Sequence, residues 1–112
     1  MLPLRKEIRE PWLRYIEEGT KRYEGRLATG TWAQIPIGST VVAYSNEREV
    51  TLRIVNIHHF SDFGEAWAKL GAELIPKEFG VTSKEQANKI YSEFWPLEEI
   101  EKGVIAIEVE RI

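Results

Sequence analysis

The sequence predicts a small domain of the α+β class. The chain has 112 residues, which is the length of one domain. Its apolar residues follow helical spacing near the start, strand spacing in the middle, helical spacing again, and a strand pattern at the end. Gly38 and Gly103 each stand directly before an apolar strand, as is common where a sheet curves tightly. This order of elements favours an α+β fold over a doubly wound parallel sheet.

The first elements are predicted to be a helix and a short strand. Pro11 is suited to the first position of the helix, where its missing N–H leaves no hydrogen bond unmade. Gly19 follows the last apolar residue of the helical pattern and is expected to cap its C-terminus. Residues 22–27 are predicted to be extended, and residues 28–32 are predicted to form a loop.

A hairpin and a closing strand are predicted further along the chain. Residues 40–45 form an apolar run, and residues 50–60 begin with the strict alternation of a half-buried strand. Residues 46–47 lie between the two runs and are expected to form the turn. Residues 104–109 are the last apolar run and complete the predicted sheet.

Two helices are predicted between the hairpin and the closing strand. Asp62 with Glu65, and Thr82 with Glu85, have the spacing of a capping box, in which each partner satisfies a free backbone N–H. An apolar stripe at helical spacing follows each pair. The charged stretch 98–102 is expected to be a solvated loop.

Composition and charge exclude several classes of protein. Hydrophobic residues make up 43% and charged residues 29%, which is ordinary for a folded domain and unlike a disordered chain. The net charge of -3 argues against coating nucleic acid by bulk electrostatics, although it permits a local basic cleft. With no cysteine, disulfides, thiolate metal sites and cysteine nucleophiles are ruled out.

Location and source are also predicted from composition. No apolar run is long enough to span a membrane, and residues 1–7 carry charges where a signal peptide has its apolar segment, so a cytoplasmic protein is expected. Glutamate, lysine and arginine are abundant while asparagine, glutamine and methionine are scarce, which favours a thermophilic source.

Residues 19–26 hold the cluster of side chains best suited to binding or catalysis. In a regular strand Glu24 and Arg26 project to the same face together with Arg22, while Lys21 belongs to the turn before the strand. A lysine, a carboxylate and a guanidinium are therefore expected to converge. Such a group can hold a phosphate or a base edge, or can supply a lysine with a lowered pKa. The alternative is a charged edge strand with solvated ion pairs.

The same residues carry a resemblance to a known family. Gly19, Lys21, Glu24 and Arg26 occupy every fixed position of Gly-x-Lys-x-x-Glu-x-Arg, the motif of the ASCH domain family, and the resemblance covers essentially the whole chain. It extends to the helix with Trp12 and Ile16, the strand entry 37–41, the segment 59–63, the aromatic group Tyr91, Phe94 and Trp95, and the closing strand 103–107. It implies that residues 1–112 are a single ASCH domain, with a small PUA-like β-barrel and flanking helices.

The resemblance implies a ligand class for the whole family and a reaction for some of its members. The motif of ASCH domains lines a cleft proposed to hold RNA or a nucleoside. Some small bacterial members remove an acetyl group from the amine of cytidine, using the motif lysine, a threonine three residues later and a distant glutamate. Lys21 matches that lysine, but Glu24 stands at the threonine position. Glu78 is the candidate for the distant glutamate.

Other candidate sites are weaker. Trp32 lies shortly after the motif, where it is expected either to stack on a base across the cleft or to plug the barrel. His58 and His59 are adjacent, so on a strand they face opposite sides and cannot grip one metal ion. One is expected to pack and the other to be exposed. The sequence contains no Gly-rich phosphate loop, and neither a cofactor nor a metal is predicted.

Three functional hypotheses follow. The first is a domain that binds RNA or a nucleoside-like or nucleotide-like small molecule through Gly19, Lys21, Glu24, Arg26 and Trp32. The second is a hydrolase of modified nucleosides or RNA, with Lys21 as base or nucleophile and Glu24 as proton relay. The third is a protein-interaction module, which would present an exposed apolar patch outside the cleft.

Overall fold

The structure is a computed structural model that describes residues 4–112, so the first three residues of the N-terminal segment lie outside it. The strands are β1 (Leu4–Glu7), β2 (Tyr23–Leu27), β3 (Thr40–Tyr44), β4 (Glu49–Phe60) and β5 (Val104–Arg111). The α-helices are α1 (Trp12–Glu18), α2 (Phe63–Leu70), α3 (Lys84–Tyr91) and α4 (Leu97–Ile100). Short 3-10 turns lie at Thr31–Gln34, Gly71–Glu73 and Lys77–Phe79. The predicted α+β class is confirmed.

The five strands form one curled sheet in the order β1, β3, β4, β5, β2. β1 runs parallel to β3, and the other neighbouring strands are antiparallel. A bulge between Ile54 and Asn56 interrupts the long strand β4, and bulges increase the local bend and twist of a strand. The two edge strands approach each other closely enough for Arg26 Nη2 on β2 to donate to the Glu7 carbonyl on β1 at 2.9 Å. The sheet is therefore a half-closed barrel with a gap between β1 and β2.

The core lies between the curled sheet and the helices. Leu52 and Ile54 of β4 are fully buried while Thr51 and Arg53 between them are exposed, as the alternation predicts. β5 is buried continuously over residues 104–107 because it lies inside the sheet and is covered on both faces.

The predicted C-terminal cap of α1, the N-terminal cap of α2 and the hairpin are confirmed, whereas Pro11 precedes α1 as its N-cap and is not its first residue. Gly19 caps α1 at φ +89°, a conformation that glycine adopts without strain. Asp62 Oδ1 accepts the Glu65 N–H at 2.8 Å at the start of α2. β3 and β4 pair as an antiparallel hairpin, closed by a hydrogen bond from Ser45 N–H to the Arg48 carbonyl.

The cap of α3 lies one residue later than predicted. Ser83 is the N-cap and its Oγ accepts the Gln86 N–H at 3.2 Å. Thr82 instead donates its hydroxyl to Gln86 Oε1 at 2.9 Å, and its N–H goes to the same oxygen. The prediction of Thr82 as the cap was wrong because the helix begins one residue later, where the Ser83 hydroxyl accepts from Gln86 and the Gln86 side chain accepts from Thr82.

Two further elements differ from the sequence prediction. Residues 98–102 do not form a simple loop, since α4 covers part of them and turns Ile100 into the core at 1% exposure. The residues 28–32, predicted to be a loop, lead into the 3-10 turn at Thr31–Gln34. β1 was not predicted, because its sequence Leu-Arg-Lys-Glu has no apolar alternation and its pairing with β3 is a tertiary contact.

An ion-pair network attaches the hairpin turn to the first helix. Arg48 Nε donates to Glu10 at 2.8 Å and Nη1 donates to Glu17 at 2.7 Å, while Ser45 Oγ also donates to Glu10 at 2.6 Å. Burial raises the pKa of Glu10, but the hydrogen bonds from Ser45 and Arg48 outweigh it and hold that pKa below its usual value. The Arg48 side chain is only 23% exposed, so solvent screens these contacts incompletely.

Replacing Arg48 with methionine is therefore expected to lower the free energy of unfolding by more than the same change at Arg53 does. Because the folded pKa of Glu10 is depressed, the contribution of this pair is present at neutral pH and is lost as the pH falls through that pKa. Urea denaturation at several pH values measures both effects. Arg53→Met is the matched control, because its pair with Glu110 is about half exposed on both sides. Equal losses in the two variants would contradict the prediction.

Candidate functional site

The gap between the two edges of the sheet contains a cavity of about 290 Å³. Strands β1 and β2, helix α1 and the end of α3 surround it. The lining residues are Lys6, Glu7, Arg9, Trp12, Glu24, Gly25, Arg26, Thr31, Trp32, Tyr91, Phe94 and Trp95. Of the predicted site residues, Glu24, Arg26 and Trp32 line this cavity, whereas Gly19 and Lys21 do not.

Lys21 is buried behind the lining of the cavity. It is 1% exposed, and its Nζ donates to the carbonyls of Tyr23 and Leu74. The same Nζ lies 3.9 Å from Glu24 Oε1 and 4.9 Å from the centre of the Trp12 ring. Lys21 therefore contacts two lining residues without being part of the lining.

The environment of Lys21 changes its acidity. Burial lowers the pKa of Lys21 to about 8, with Glu24 acting to raise it and Arg26 to lower it further. At neutral pH the side chain is still mostly protonated, so its N–H groups remain donors to the two carbonyls. This is the arrangement of a structural lysine that holds the strand entry against the segment before Pro76.

Glu24 and Arg26 form a rigid pair at the wall of the cavity. Arg26 Nε donates to Glu24 Oε2 at 2.9 Å, its Nη2 lies 2.9 Å from the same oxygen, and Nη2 donates to the Glu7 carbonyl. Glu24 is 6% exposed, so this two-pronged contact lies in a partly dehydrated setting where it is stronger than on the surface. The convergence of Lys21, Glu24 and Arg26 expected from the spacing is present in the structure.

Trp32 is a buried part of the cavity wall. It is 4% exposed, and it belongs to the 3-10 turn. Arg26 lies with its Cζ 5.1 Å from the centre of the Trp32 ring, and Lys6 Nζ lies at 5.8 Å. The ring therefore packs into the core and also lines the cavity, while its stacking on a base stays a prediction.

The remaining residues discussed from the sequence lie elsewhere. Arg22 does not join Glu24 and Arg26; its side chain is 52% exposed and lies 3.8 Å from Glu108. His58 is half-buried, with Nε2 3.2 Å from Glu108, whereas His59 is exposed, as the alternation predicts. Glu78 is exposed on a 3-10 turn and does not line the cavity.

Nine of the lining residues were not predicted as site residues, namely Lys6, Glu7, Arg9, Trp12, Gly25, Thr31, Tyr91, Phe94 and Trp95. Lys6 lies on the unpredicted strand β1, so no sequence pattern indicated its neighbours. Tyr91 and Trp95 fall on or beside an apolar helical stripe, which indicates core equally well. The resemblance of this aromatic group to the ASCH domain family was the one signal in the sequence that could have placed it at the site.

The comparison with protein-family models gives a match to the ASCH domain over residues 7–112. This chain belongs to the ASCH domain family. The motif residues, the β2 strand that carries them and all the lining residues of the cavity fall inside the matched range. A search of the curated proteins finds no match.

Solved structures resemble this ASCH domain along its full length. The crystal structure of the hypothetical protein PH0355, from Pyrococcus, has a TM-score of 0.83 and 30% identity, covering 99% of this chain and 100% of that chain. The solution structure of protein PF0455 from Pyrococcus furiosus has a TM-score of 0.77 and 28% identity, covering 99% and 98% respectively. The expected PUA-like architecture with flanking helices is thereby confirmed.

Residues 4–112 contain neither a candidate membrane-spanning helix nor a candidate metal-binding cluster. None of the helices in this part of the chain is long and apolar enough to cross a membrane. Within the same residues, no group of three or more histidine, aspartate or glutamate side chains is arranged to hold a metal ion.

Proposed function

We propose that this ASCH domain binds one nucleoside or nucleotide unit, free or as an unpaired base of RNA, in the cavity between β1 and β2. The observation that carries the proposal is the lining, in which five aromatic residues surround a space bordered by cationic side chains. Aromatic rings stack on unpaired bases, and arginine and lysine bind phosphate. The aromatic residues are Trp12, Trp32, Tyr91, Phe94 and Trp95.

The charges around the cavity support an anionic ligand. Lys6, Arg9 and Arg26 contribute three positive charges against the two carboxylates of Glu7 and Glu24. Arg26 and Glu24 pair with each other. The remaining charges, at the mouth of the cavity, are those of Lys6, Glu7 and Arg9. On a protein with a net charge of -3, this mouth is a local site for a phosphate.

The volume supports a small ligand. About 290 Å³ lies at the lower end of the range of ligand pockets, which run from roughly 300 to 1,000 Å³. One nucleotide unit matches this size, whereas a duplex presents only stacked and paired bases. An unpaired base that enters from a single strand satisfies both the size and the aromatic lining.

Hydrolysis of a modified nucleoside such as acetylated cytidine is the second candidate. It is supported by Glu24 on the cavity wall and by the lowered pKa of Lys21 behind it. Of this catalytic pair only Glu24 borders the cavity, and the Lys21 Nζ donates to two backbone carbonyls. We therefore rank binding above hydrolysis, and turnover of acetylated cytidine by the unmodified protein would reverse that order.

Calorimetric titration at low salt with the four ribonucleosides and their 5′-monophosphates tests the proposed function. We expect at least one monophosphate to bind more tightly than its nucleoside. Arg9 lies 5.3 Å from the Phe94 ring, and no acidic partner pairs with it within residues 4–112. Arg9→Ala is expected to weaken binding of the monophosphate about tenfold, which corresponds to about 1.4 kcal/mol, and to leave binding of the nucleoside unchanged.

The matched control is Arg14→Ala, because Arg14 is exposed on α1 and does not line the cavity. It is expected to bind both ligands as the unmodified protein does. If none of the nucleosides, monophosphates or a short single-stranded RNA binds, the proposal is refuted. If Arg9 and Arg14 variants lose affinity equally, the phosphate is not held at the cavity mouth.

A further inference from the structure

The edge of β2 that faces the cavity carries unused backbone hydrogen-bonding groups at Gly25. In an antiparallel pair, alternate residues exchange hydrogen bonds with the partner strand. The Arg22 carbonyl accepts the Val109 N–H at 2.9 Å and the Ala28 N–H goes to Gly103 at 3.1 Å, which places the even-numbered residues in the bonded positions.

The odd-numbered residues of β2 therefore direct their backbone groups away from β5. The Tyr23 carbonyl is used by Lys21 and the Leu27 carbonyl by the Gly30 N–H. Gly25 lies between them, is buried and lines the cavity. Within residues 4–112, no hydrogen bond from a side chain or from another segment reaches its N–H or its carbonyl.

Gly25 is required here by space and not by backbone conformation. Its φ is not positive, so any residue could adopt its conformation. A Cβ at this position, however, would lie 2.7 Å from the Tyr91 hydroxyl oxygen and 3.0 Å from Phe63 Cε1. The missing side chain thus makes room for Tyr91 and Phe63 to pack directly against the strand.

Tyr91 adds an unpaired polar atom at the same place. Tyr91 lines the cavity and is 3% exposed. Its hydroxyl is buried without a hydrogen-bond partner in the described part of the chain. Burial raises the pKa of Tyr91 well above its usual value, so the hydroxyl keeps its proton. A buried hydroxyl without a partner is destabilising, and such groups need an explanation.

We propose, building on the proposed function, that the open edge of β2 at Gly25 and the hydroxyl of Tyr91 recognise the base-pairing edge of one nucleobase. An N–H and a carbonyl of the same extended residue point in the same direction. They match a planar heterocycle that presents an acceptor next to a donor, as the base-pairing edges of all four bases do. Because side chains alternate across a strand, the Tyr91 hydroxyl lies on the side of β2 towards which a side chain at position 25 would point, and Arg26 projects to the opposite side.

Methylated nucleotides test this directly on the unmodified protein. The probes are the four ribonucleoside 5′-monophosphates, their forms methylated on the base-pairing edge (N1 of purines, N3 of pyrimidines), and 5-methyluridine monophosphate. For any monophosphate that binds, we expect methylation of the pairing edge to weaken affinity more than tenfold, since it removes a hydrogen bond and fills the space. The 5-methyl form, altered away from that edge, is expected to match uridine monophosphate.

Two variants provide the complementary measurement. Tyr91→Phe is expected to raise the melting temperature by a few degrees, because it removes a buried unpaired hydroxyl. The same change is expected to weaken binding of the monophosphate several-fold. A purely structural tyrosine would not combine these opposite effects. Gly25→Ala is expected to displace Tyr91 and so to weaken binding of the monophosphate, with Gly30→Ala as the control because a Cβ there meets its nearest atom at 3.6 Å.

The outcomes separate this inference from the proposed function. If no nucleotide binds, the proposed function fails and this inference fails with it. If nucleotides bind but pairing-edge methylation leaves their affinity unchanged, the proposed function stands and the recognition by Gly25 and Tyr91 is overturned. Unchanged affinity in Tyr91→Phe would overturn the role of its hydroxyl.

Discussion

Lys21→Ala is expected to lower the free energy of unfolding by about 2–4 kcal/mol. The substitution leaves the Tyr23 and Leu74 carbonyls without their donor and removes the aliphatic stem from a position that is 1% exposed. It also removes the buried cation that faces Glu24 at 3.9 Å. Urea denaturation followed by tryptophan fluorescence measures the loss.

The pH dependence of stability provides a second readout for Lys21. Its folded pKa is about 8 against an ordinary value of 10.5, so above pH 8 the unfolded state holds a proton that the folded state has released. Stability rises with pH where the unfolded state binds more protons, so this group adds stability as the pH rises from about 8 towards 10.5. We expect the unmodified protein to gain stability over this range relative to Lys21→Met, which has no proton to release.

Lys69→Ala is the control for Lys21, because Lys69 is an exposed lysine near the end of α2. A change within about 0.5 kcal/mol is expected there. The result that would contradict our structural interpretation is a Lys21→Ala protein as stable as the unmodified one. If that protein also lost turnover of acetylated cytidine, Lys21 would be a catalytic residue after all.

Glu24→Gln is expected to lower the free energy of unfolding by about 3 kcal/mol at neutral pH. The neutral amide leaves the guanidinium of Arg26 and the ammonium of Lys21 facing each other without a carboxylate between them. Since Glu24 raises the pKa of Lys21, its removal lowers that pKa below about 8. The variant's buried lysine then releases its proton at a lower pH than in the unmodified protein.

The loss of stability in Glu24→Gln should therefore be greatest in mildly acidic solution and should shrink as the pH rises towards 8. Chemical denaturation between about pH 5.5 and 8 measures this trend. Glu7→Gln is the matched control, because the Glu7 side chain is exposed at the mouth of the same cavity. A deficit that is constant or grows with pH would show that Glu24 does not control the charge of Lys21.

Some features of the site could be predicted from sequence because they depend on residues close together in the chain. Glu24 and Arg26 are two residues apart on one strand, so their contact follows from the alternation of side chains. The fixed positions of the motif also indicated that Lys21 would join them. The alternation holds only within the regular strand, so Arg22, which precedes Tyr23 at the start of β2, does not join them.

Other features of the site could not be predicted. Lys21 donates to the Leu74 carbonyl, 53 residues away, and only that contact and the packing of Trp12 show that the lysine is buried. The cavity itself depends on β1, whose sequence has no strand pattern. Tyr91 looked like a core residue because an apolar helical stripe has the same spacing whether it faces the core or a cavity.

The sequence by itself determined the α+β class, the family, the hairpin, the glycine cap of α1 and the pairing of Glu24 with Arg26. Each of these rests on periodicity, on backbone conformation or on neighbours a few residues apart. Only the tertiary structure decided that Lys21 lies behind the cavity and that Gly25 and Tyr91 border it. Burial, desolvation and an open strand edge arise where segments distant in the chain meet, and no local pattern specifies which segments those are.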